Sequence, residues 1–384
     1  MLQEARIESG GRASWRVVLS ASLAALALLA GACGGSDSED SGSGDSQDSN
    51  GDSLQPSYGG TLSYALTAET TGGWCLPEAQ LVASGVQVAR AVYDQLAAPD
   101  ENGEMAPFLA EEISPNDTYD TWTIRLREGI TFHDGTPLDA EVVKNNLDAY
   151  RGAYPNRSPL LFLFVLDNID TVEVVDDMTV EVRTKTPWVA FPWYLWNDGR
   201  MGIMAQSQLD DAESCDSNLV GTGPFVAGEW RVNDSFTMTR NDDYWMTGED
   251  GNQLPYLDGV VFRPVIEGAT RVNMLEGGDV DAMNSATTVD IDTLESLGDQ
   301  INLAIADQGN GVYYFQLNSG DGKVFDSQTA RIAAAHAIDR EQINLVTDLD
   351  ALQLASGPFA PGEMGYLEDA GYPEYDPDRS RELV

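Results

Sequence analysis

The chain has 384 residues, with 63 Asp and Glu against 21 Lys and Arg, and a formal net charge of −42. A field of that sign repels phosphate backbones and anionic lipid surfaces, which excludes nucleic-acid binding and docking of the protein surface on acidic membranes. The length exceeds one ordinary core, so two or more lobes are expected, and 42% hydrophobic with 9% aromatic residues is a globular composition.

Three arginines, Arg6, Arg12 and Arg16, precede an apolar run from Val17 to Ala32. Sixteen residues are short for a membrane span and suit a signal peptide, so residues 1–32 are expected to be removed. The run ends in Leu29-Ala30-Gly31-Ala32-Cys33-Gly34, which resembles a bacterial lipobox, with alanine where leucine is commonest at the third position before the cysteine. That resemblance implies a diacylated Cys33 as the new N-terminus and a membrane partner reached through lipid. Residues 33–58 follow as a Gly/Ser-rich acidic stretch with no large apolar residue before Leu54. Nothing in it offsets ordering entropy, so it is expected to be a disordered tether of roughly 25–30 Å reach. Cys75 and Cys215 remain. Outside the cytoplasm an even pair is most simply a disulfide, and two buried free thiols are the alternative.

Beyond the tether, Leu62, Tyr64 and Leu66 alternate as in a strand, and the loop Glu69 to Cys75 follows. Leu81, Val88, Val92 and Leu96 form an apolar stripe on a helix predicted over Gln80 to Gln95. Trp122, Ile124 and Leu126 face one way on a strand; Ile130 to His133 is predicted to return as a short strand. His133 and Asp134 are adjacent, so in a strand they point to opposite faces and cannot act as a base and its orienter. Asp134-Gly135 is a turn signal, and Asp139 is placed to cap a helix with Val143, Leu147 and Tyr150 on its buried face. Asn168 to Val174 and Met178 to Lys185 read as a hairpin, as do the runs flanking Asn233-Asp234. The aromatic run Pro187 to Trp196 fits either a cleft wall or a lobe core, with core favoured. Gly259 to Ile266 is predicted as a strand and Ala269 to Glu276 as a helix stopped by Gly277-Gly278. Val312 to Leu317 reads as a strand, and Gln328 to Ile338 as an Ala-rich helix capped by Asp326 or Ser327 and carrying His336. Asp339 is predicted to cap the next helix. Asp376-Pro377 opens a helix that runs to Val384, where the sequence offers Leu383 and Val384 no partner, so the chain is expected to be a fragment cut inside a helix.

No G-x-S-x-G elbow, H-E-x-x-H, Walker A sequence or G-x-G-x-x-G after a strand occurs. Two isolated histidines and two pairable cysteines leave no metal cluster, so no metal, cofactor or catalytic residue is expected. With 63 acids a carboxylate pair is always found and identifies nothing.

Four ordered blocks rise above this background. TWTIRLREGITFHDGTPLDAEVVKNNL, GTGPFVAGEW followed by RNDDYW, YLDGVVFRPVIEGATRVNMLEGGDVDAMN, and YYFQLNS followed by VFDSQTARIAAAHAIDREQI resemble the bacterial extracellular solute-binding proteins of family 5. These are the oligopeptide-, dipeptide- and nickel-binding receptors of ABC importers. The resemblance runs from about Gly59 to the end. It implies an α/β, two-lobed periplasmic-binding-protein type II fold with an inserted subdomain in the first lobe. Mapped onto this chain, 59–82 and 186–263 would form the first lobe, 83–185 the inserted subdomain, and 264–384 an incomplete second lobe. The implied activity is capture of di- or oligopeptides, not turnover, by a monomer held on the outer face of the cell membrane. The implied partners are ABC permease and ATPase subunits. By position, Trp74, Trp245, Asn284 and Asn318 are expected in the cleft, because strand-end loops are where α/β folds place ligands. A surface-anchored lipoprotein hydrolase using an acid pair is the second reading.

Overall fold

In a computed structural model the described residues are 56–384, except 71, 306–311, 347–352 and 362–364. The signal, lipidation and tether expectations of residues 1–55 therefore lie outside the described residues.

The strands in chain order are β1 (Thr61–Leu66), β2 (Ala97–Pro99), β3 (Met105–Pro107), β4 (Ala110–Pro115), β5 (Thr121–Leu126), β6 (Ile169–Asp176), β7 (Thr179–Thr184), β8 (Phe225–Arg231), β9 (Ser235–Arg240), β10 (Gly259–Pro264) and β11 (Ala282–Met283). They form a five-stranded sheet in the order β11-β1-β10-β9-β8, the pair β2-β3, and a four-stranded sheet in the order β4-β5-β7-β6. The helices are α1 (Ala83–Val92), α2 (Ala140–Tyr150), α3 (Phe162–Val165), α4 (Phe191–Trp196), α5 (Gln206–Asp210), α6 (Gly268–Gly277), α7 (Thr288–Leu297), α8 (Gln328–Ala337), α9 (Arg340–Val346) and α10 (Pro377–Leu383).

The five-stranded sheet is mixed. β1 runs parallel to β10 and β11, while β9 is antiparallel to β10 and β8. Ala65 and Leu66 are both buried although they face opposite sides, as expected of a strand covered on both faces. Although β11 belongs to the stretch mapped to a second lobe, it pairs with β1, so this sheet extends past Pro264 to Met283. The four-stranded sheet is antiparallel throughout. In β5, Trp122, Ile124 and Leu126 are buried while Thr123 and Arg125 face solvent, the period of two read from the sequence.

The stripe Leu81, Val88, Val92 and Leu96 is buried, but α1 is shorter than predicted. At its start the Ser84 hydroxyl is drawn away to the Ala68 N–H and Thr67. At its end Tyr93 turns extended, so that Gln95 pairs with Gly202. Asp139 caps α2 by accepting from the Val142 N–H at 2.9 Å, with Val143, Leu147 and Tyr150 buried. Phe191 is fully buried and Trp196 is 9% exposed, so the aromatic run is mainly core.

Three predictions fail locally. Ile130 to His133 is not a strand: it makes one isolated bridge, Thr131 with Pro137, because its backbone is used in a tight turn, Phe132 N–H to the Thr136 carbonyl and Leu138 N–H to the Ile130 carbonyl, with His133 N–H going to the Gly221 carbonyl. Val312 to Leu317 forms no ladder among the described residues; Tyr313, Tyr314 and Phe315 are 79, 77 and 71% exposed, so the alternation has no sheet to pair with. Neither predicted cap of α8 forms: Ser327 makes no side-chain cap bond, and the Asp326 carboxylate accepts from the Gly322 N–H instead. The partner that the sequence did not supply for the last helix is α8. The Ser380 hydroxyl donates to the Ala333 carbonyl at 2.8 Å, and the Asp376 N–H to the His336 carbonyl at 2.9 Å.

Cys75 and Cys215 lie with their sulfurs 2.06 Å apart, at bonding distance, across 140 residues of sequence. His133 packs against the Gly221–Gly223 segment. Its Nε2 is 2.9 Å from the Gly223 carbonyl, and Asp134 turns away to Thr136 and Ser207. Burial lowers the His133 pKa, the Gly223 contact opposing it. The depressed value means that His133 contributes stability above its ordinary value of 6.5, lost as pH falls through the folded value. His133→Ala is expected to cost about 1–2 kcal/mol in urea unfolding and to leave ligand affinity unchanged; a selective affinity loss would restore a binding role.

Candidate ligand-binding site

Because β1, β10 and β11 are parallel neighbours, their C-terminal ends open at one edge of the sheet. Leu66 is in register with Pro264, and Ala65 with Met283. Three loops leave that edge: the long loop before α1, the short 265–267 turn into α6, and 284–287 before α7. The N-termini of α1 and α6 follow the first two. Chain reversal at such an edge leaves a crevice bordered by free backbone N–H groups, where open α/β sheets bind ligands.

A buried ion pair braces two of these loops. Arg271 in α6 donates from Nη1 to the carbonyls of Val265 and Ile266, at 2.8 and 2.9 Å, and from Nη2 to Asp290 Oδ2 at 3.4 Å. The Ser285 hydroxyl donates to the same carboxylate oxygen at 2.5 Å. Both charged side chains are under 10% exposed. Gly268 is required here, since a Cβ would lie 2.3 Å from Asp290 Oδ2.

Asn284 and Trp74 both belong to this edge. Asn284 directly follows β11, and its Oδ1 is buried with no hydrogen-bond partner among the described residues. The Trp74 indole N–H is likewise buried and unpartnered. Trp74 itself is 1% exposed, stacked edge-on to Trp230 at 5.5 Å and tilted against Phe236 at 5.4 Å. Its backbone N–H donates to the Asp216 carbonyl. Ile266, in the 265–267 turn, is 75% exposed.

Trp245 lies elsewhere. It follows β9, whose C-terminal end is beside the start of β10, at the opposite end of the sheet. Its indole N–H donates to Asp94 Oδ2 at 2.9 Å, Phe108 meets it edge-on at 5.2 Å, and the Arg127 guanidinium lies over it at 5.5 Å. Phe108, Arg127 and Trp245 line an open groove with Ile130 and Thr247. Asn318 is exposed, and its side-chain oxygen accepts from the Gly320 N–H, a turn role. Trp74 and Asn284 thus lie in segments that leave the C-terminal ends of β1 and β11, whereas Trp245 lies at the opposite end of the sheet and Asn318 in an exposed turn.

Asp94 is fully enclosed. Burial pushes its pKa up to about 6, opposed by hydrogen bonds from Trp245, Thr222 and Tyr244. None of those partners is a carboxylate, so no acid pair forms at Asp94. A raised folded pKa gives stability that is full below the unfolded value, near 3.8, and declines as pH rises through about 6. Asp94→Asn can keep its oxygen on Trp245 and Thr222 and its amide on the Tyr244 hydroxyl. The variant is expected to lack the pH-dependent loss of wild-type stability between pH 4 and 6.5, about 3 kcal/mol at most, in chemical unfolding; parallel curves for the two proteins would refute the assignment.

Asp94, Arg271 and Asp290 were not singled out from the sequence. Asp94 left a signal, a lone charge inside the apolar run Ala91 to Leu96. Asp290, one acid among 63, left none.

Among the described residues no group of three or more His, Cys, Asp or Glu is placed to hold a metal ion, and no helix is long and apolar enough to cross a membrane.

The mixed α/β architecture is that of the two-lobed type II periplasmic binding proteins. The oligopeptide-binding protein AppA from Bacillus subtilis, solved with a nonapeptide, superposes with a TM-score of 0.68 at 24% identity, covering 86% of this chain and 64% of that one. The periplasmic binding protein DppA from Helicobacter pylori, solved with the peptide STSA, gives 0.68 at 23% identity over 85% and 66%. Residues 104–384 match the bacterial extracellular solute-binding proteins, family 5 Middle, and the chain belongs to that family. The glutathione-binding protein GsiB of Pectobacterium atrosepticum is 29% identical over 298 residues, 77% of this chain and 55% of the relative. The chain thus spans about half the length of the curated relatives it matches.

Proposed function

We propose that this chain captures a peptide or peptide-like solute at the strand-end crevice and delivers it to the permease and ATPase of an ABC importer. The observation that carries the reading is that the segments leaving two parallel strand ends each hold a buried, unpartnered polar group, Trp74 Nε1–H in the loop after β1 and Asn284 Oδ1 directly after β11. A donor and an acceptor left unpaired in the protein cost free energy until a ligand satisfies them, and a peptide backbone offers both. Closure of two lobes on that ligand would remove it from water, driven by the difference in affinity between the open and closed forms. The lobes are taken as 59–82 with 186–263 and 264–384, with 83–185 inserted. Separate sheets over 110–184 and 61–283 support treating the inserted part as its own subdomain. Lipid attachment at Cys33, a cleaved signal before it and a Cys75–Cys215 bridge fit a protein held on the outer face of the membrane. Binding without turnover is the activity this supports.

The test is native mass spectrometry of the full chain offered a pool of di- to pentapeptides, followed by calorimetry on whatever is retained. One intact peptide per chain supports the reading. Hydrolysis of the pool would replace it with the enzymatic one, and no retention of any peptide would remove the peptide class.

A further inference from the structure

The two bridged sulfurs sit in unequal surroundings. Arg157 reaches them from the loop after α2 with a side chain only 3% exposed. Its Nη1–H donates to Cys75 Sγ at 3.3 Å and to Glu78 Oε1 at 3.4 Å, while Nε–H donates to the Leu209 carbonyl and Nη2–H to the Asp211 carbonyl. Among the described residues none of its donors bonds Cys215 Sγ. A guanidinium fixed beside one sulfur in a buried setting stabilises negative charge on that sulfur, and the Glu78 carboxylate only shares this charge. The chain around each cysteine differs as well. Cys75 lies between buried Trp74 and Leu76, whereas Cys215 sits in a turn whose Glu213, Asp216 and Ser217 are exposed. Both cysteines are 3% exposed; opening the turn at Cys215 breaks the bonds from the Trp74 N–H to the Asp216 carbonyl and from Gln208 Nε2–H to the Cys215 carbonyl, whereas uncovering Cys75 also displaces the packed Trp74 ring.

We propose that Cys215 is a site of thiol–disulfide exchange with small thiols and that Arg157 sets its direction. The thiolate of the incoming thiol attacks Cys215 Sγ and forms a new S–S bond there. The Cys75–Cys215 bond breaks with its electron pair on Cys75, which leaves as a thiolate beside Arg157. The incoming sulfur is oxidised and the Cys75 sulfur reduced, so no further oxidant enters. The product is a mixed disulfide on Cys215 and a freed Cys75 next to Trp74. The lower-pKa thiol is the better leaving group, which fixes the regiochemistry. This inference depends on the bridge and is independent of what the crevice binds.

The oxidised full chain is incubated at pH 8 with reduced glutathione and, separately, 2-mercaptoethanol, quenched in acid and mapped by peptide mass spectrometry. The adduct on Cys215 is expected to exceed that on Cys75 by about tenfold, and the ratio is expected to fall toward unity in Arg157→Gln. Equal labelling, a Cys75 adduct in excess, no adduct on either cysteine, or a ratio indifferent to Arg157→Gln each overturns the proposal. Because Arg157→Gln also removes buried hydrogen bonds, a second measurement stands apart from it. Thiolate absorbance is titrated in Cys215→Ser and in Cys75→Ser. Cys75 is expected to ionise at lower pH than Cys215, and the reverse order overturns the assignment.

Discussion

Trp74→Ala is expected to lower unfolding stability by about 3–5 kcal/mol, the cost of removing a fully buried large aromatic side chain. The indole is 1% exposed and packs against both Trp230 and Phe236, which are fixed to each other in the sheet, so little of the resulting void can close. The same residue carries a buried, unpartnered indole N–H. Trp74→Phe separates these two roles. Phenylalanine keeps most of the packing and removes only the donor. Urea unfolding should show a much smaller loss for Trp74→Phe than for Trp74→Ala, while calorimetry should show that its ligand affinity falls. Unchanged affinity in Trp74→Phe would reduce Trp74 to a core residue.

Asp290→Ala carries the second large effect, also about 3–5 kcal/mol, because it leaves the Arg271 guanidinium buried without its carboxylate. The pair itself is not a large net source of stability, since desolvation of both groups offsets much of their attraction. Breaking one side is what costs. The Ser285 hydroxyl loses its acceptor at the same time, so the 265–267 and 284–287 loops should loosen together. Asp290→Asn retains an oxygen for Ser285 and is expected to lose less. Urea midpoints at constant slope measure the difference, and a loss below about 1 kcal/mol for Asp290→Ala would show that the brace is not needed.

Local periodicity carried much of the fold into the sequence. β5, the hairpin of β6 and β7, and the Asp139-capped helix α2 are all short-range patterns, in which the deciding neighbours lie within a few residues. The separation of His133 from Asp134 holds, but not through strand geometry: only Thr136 is a near neighbour, while Gly223 and Ser207, which draw the two side chains apart, lie 90 and 73 residues away in sequence. What failed depended on distant partners. The strand predicted at Val312 to Leu317 has good alternation but no ladder among the described residues, and pairing is not a property of one segment. The site was less legible than the fold. Proximity to a strand end named Trp74, Asn284 and Trp245 alike, but the three do not share one end of the sheet. Antiparallel β9 delivers Trp245 to the other end of the sheet, and strand direction within a mixed sheet is not written in any local pattern. Arg271 and Asp290 needed the crossing of two loops, which only the folded chain supplies.

The proposed function puts ligand at the C-terminal ends of β1, β10 and β11. Hydrogen exchange read by mass spectrometry, with and without the peptide retained by the full chain, tests it most directly. Protection is predicted in the loop before Cys75, at 265–268 and at 284–287, with the Phe108–Trp245 groove unchanged. Protection confined to that groove, or none at any of the three strand-end loops, would contradict the account.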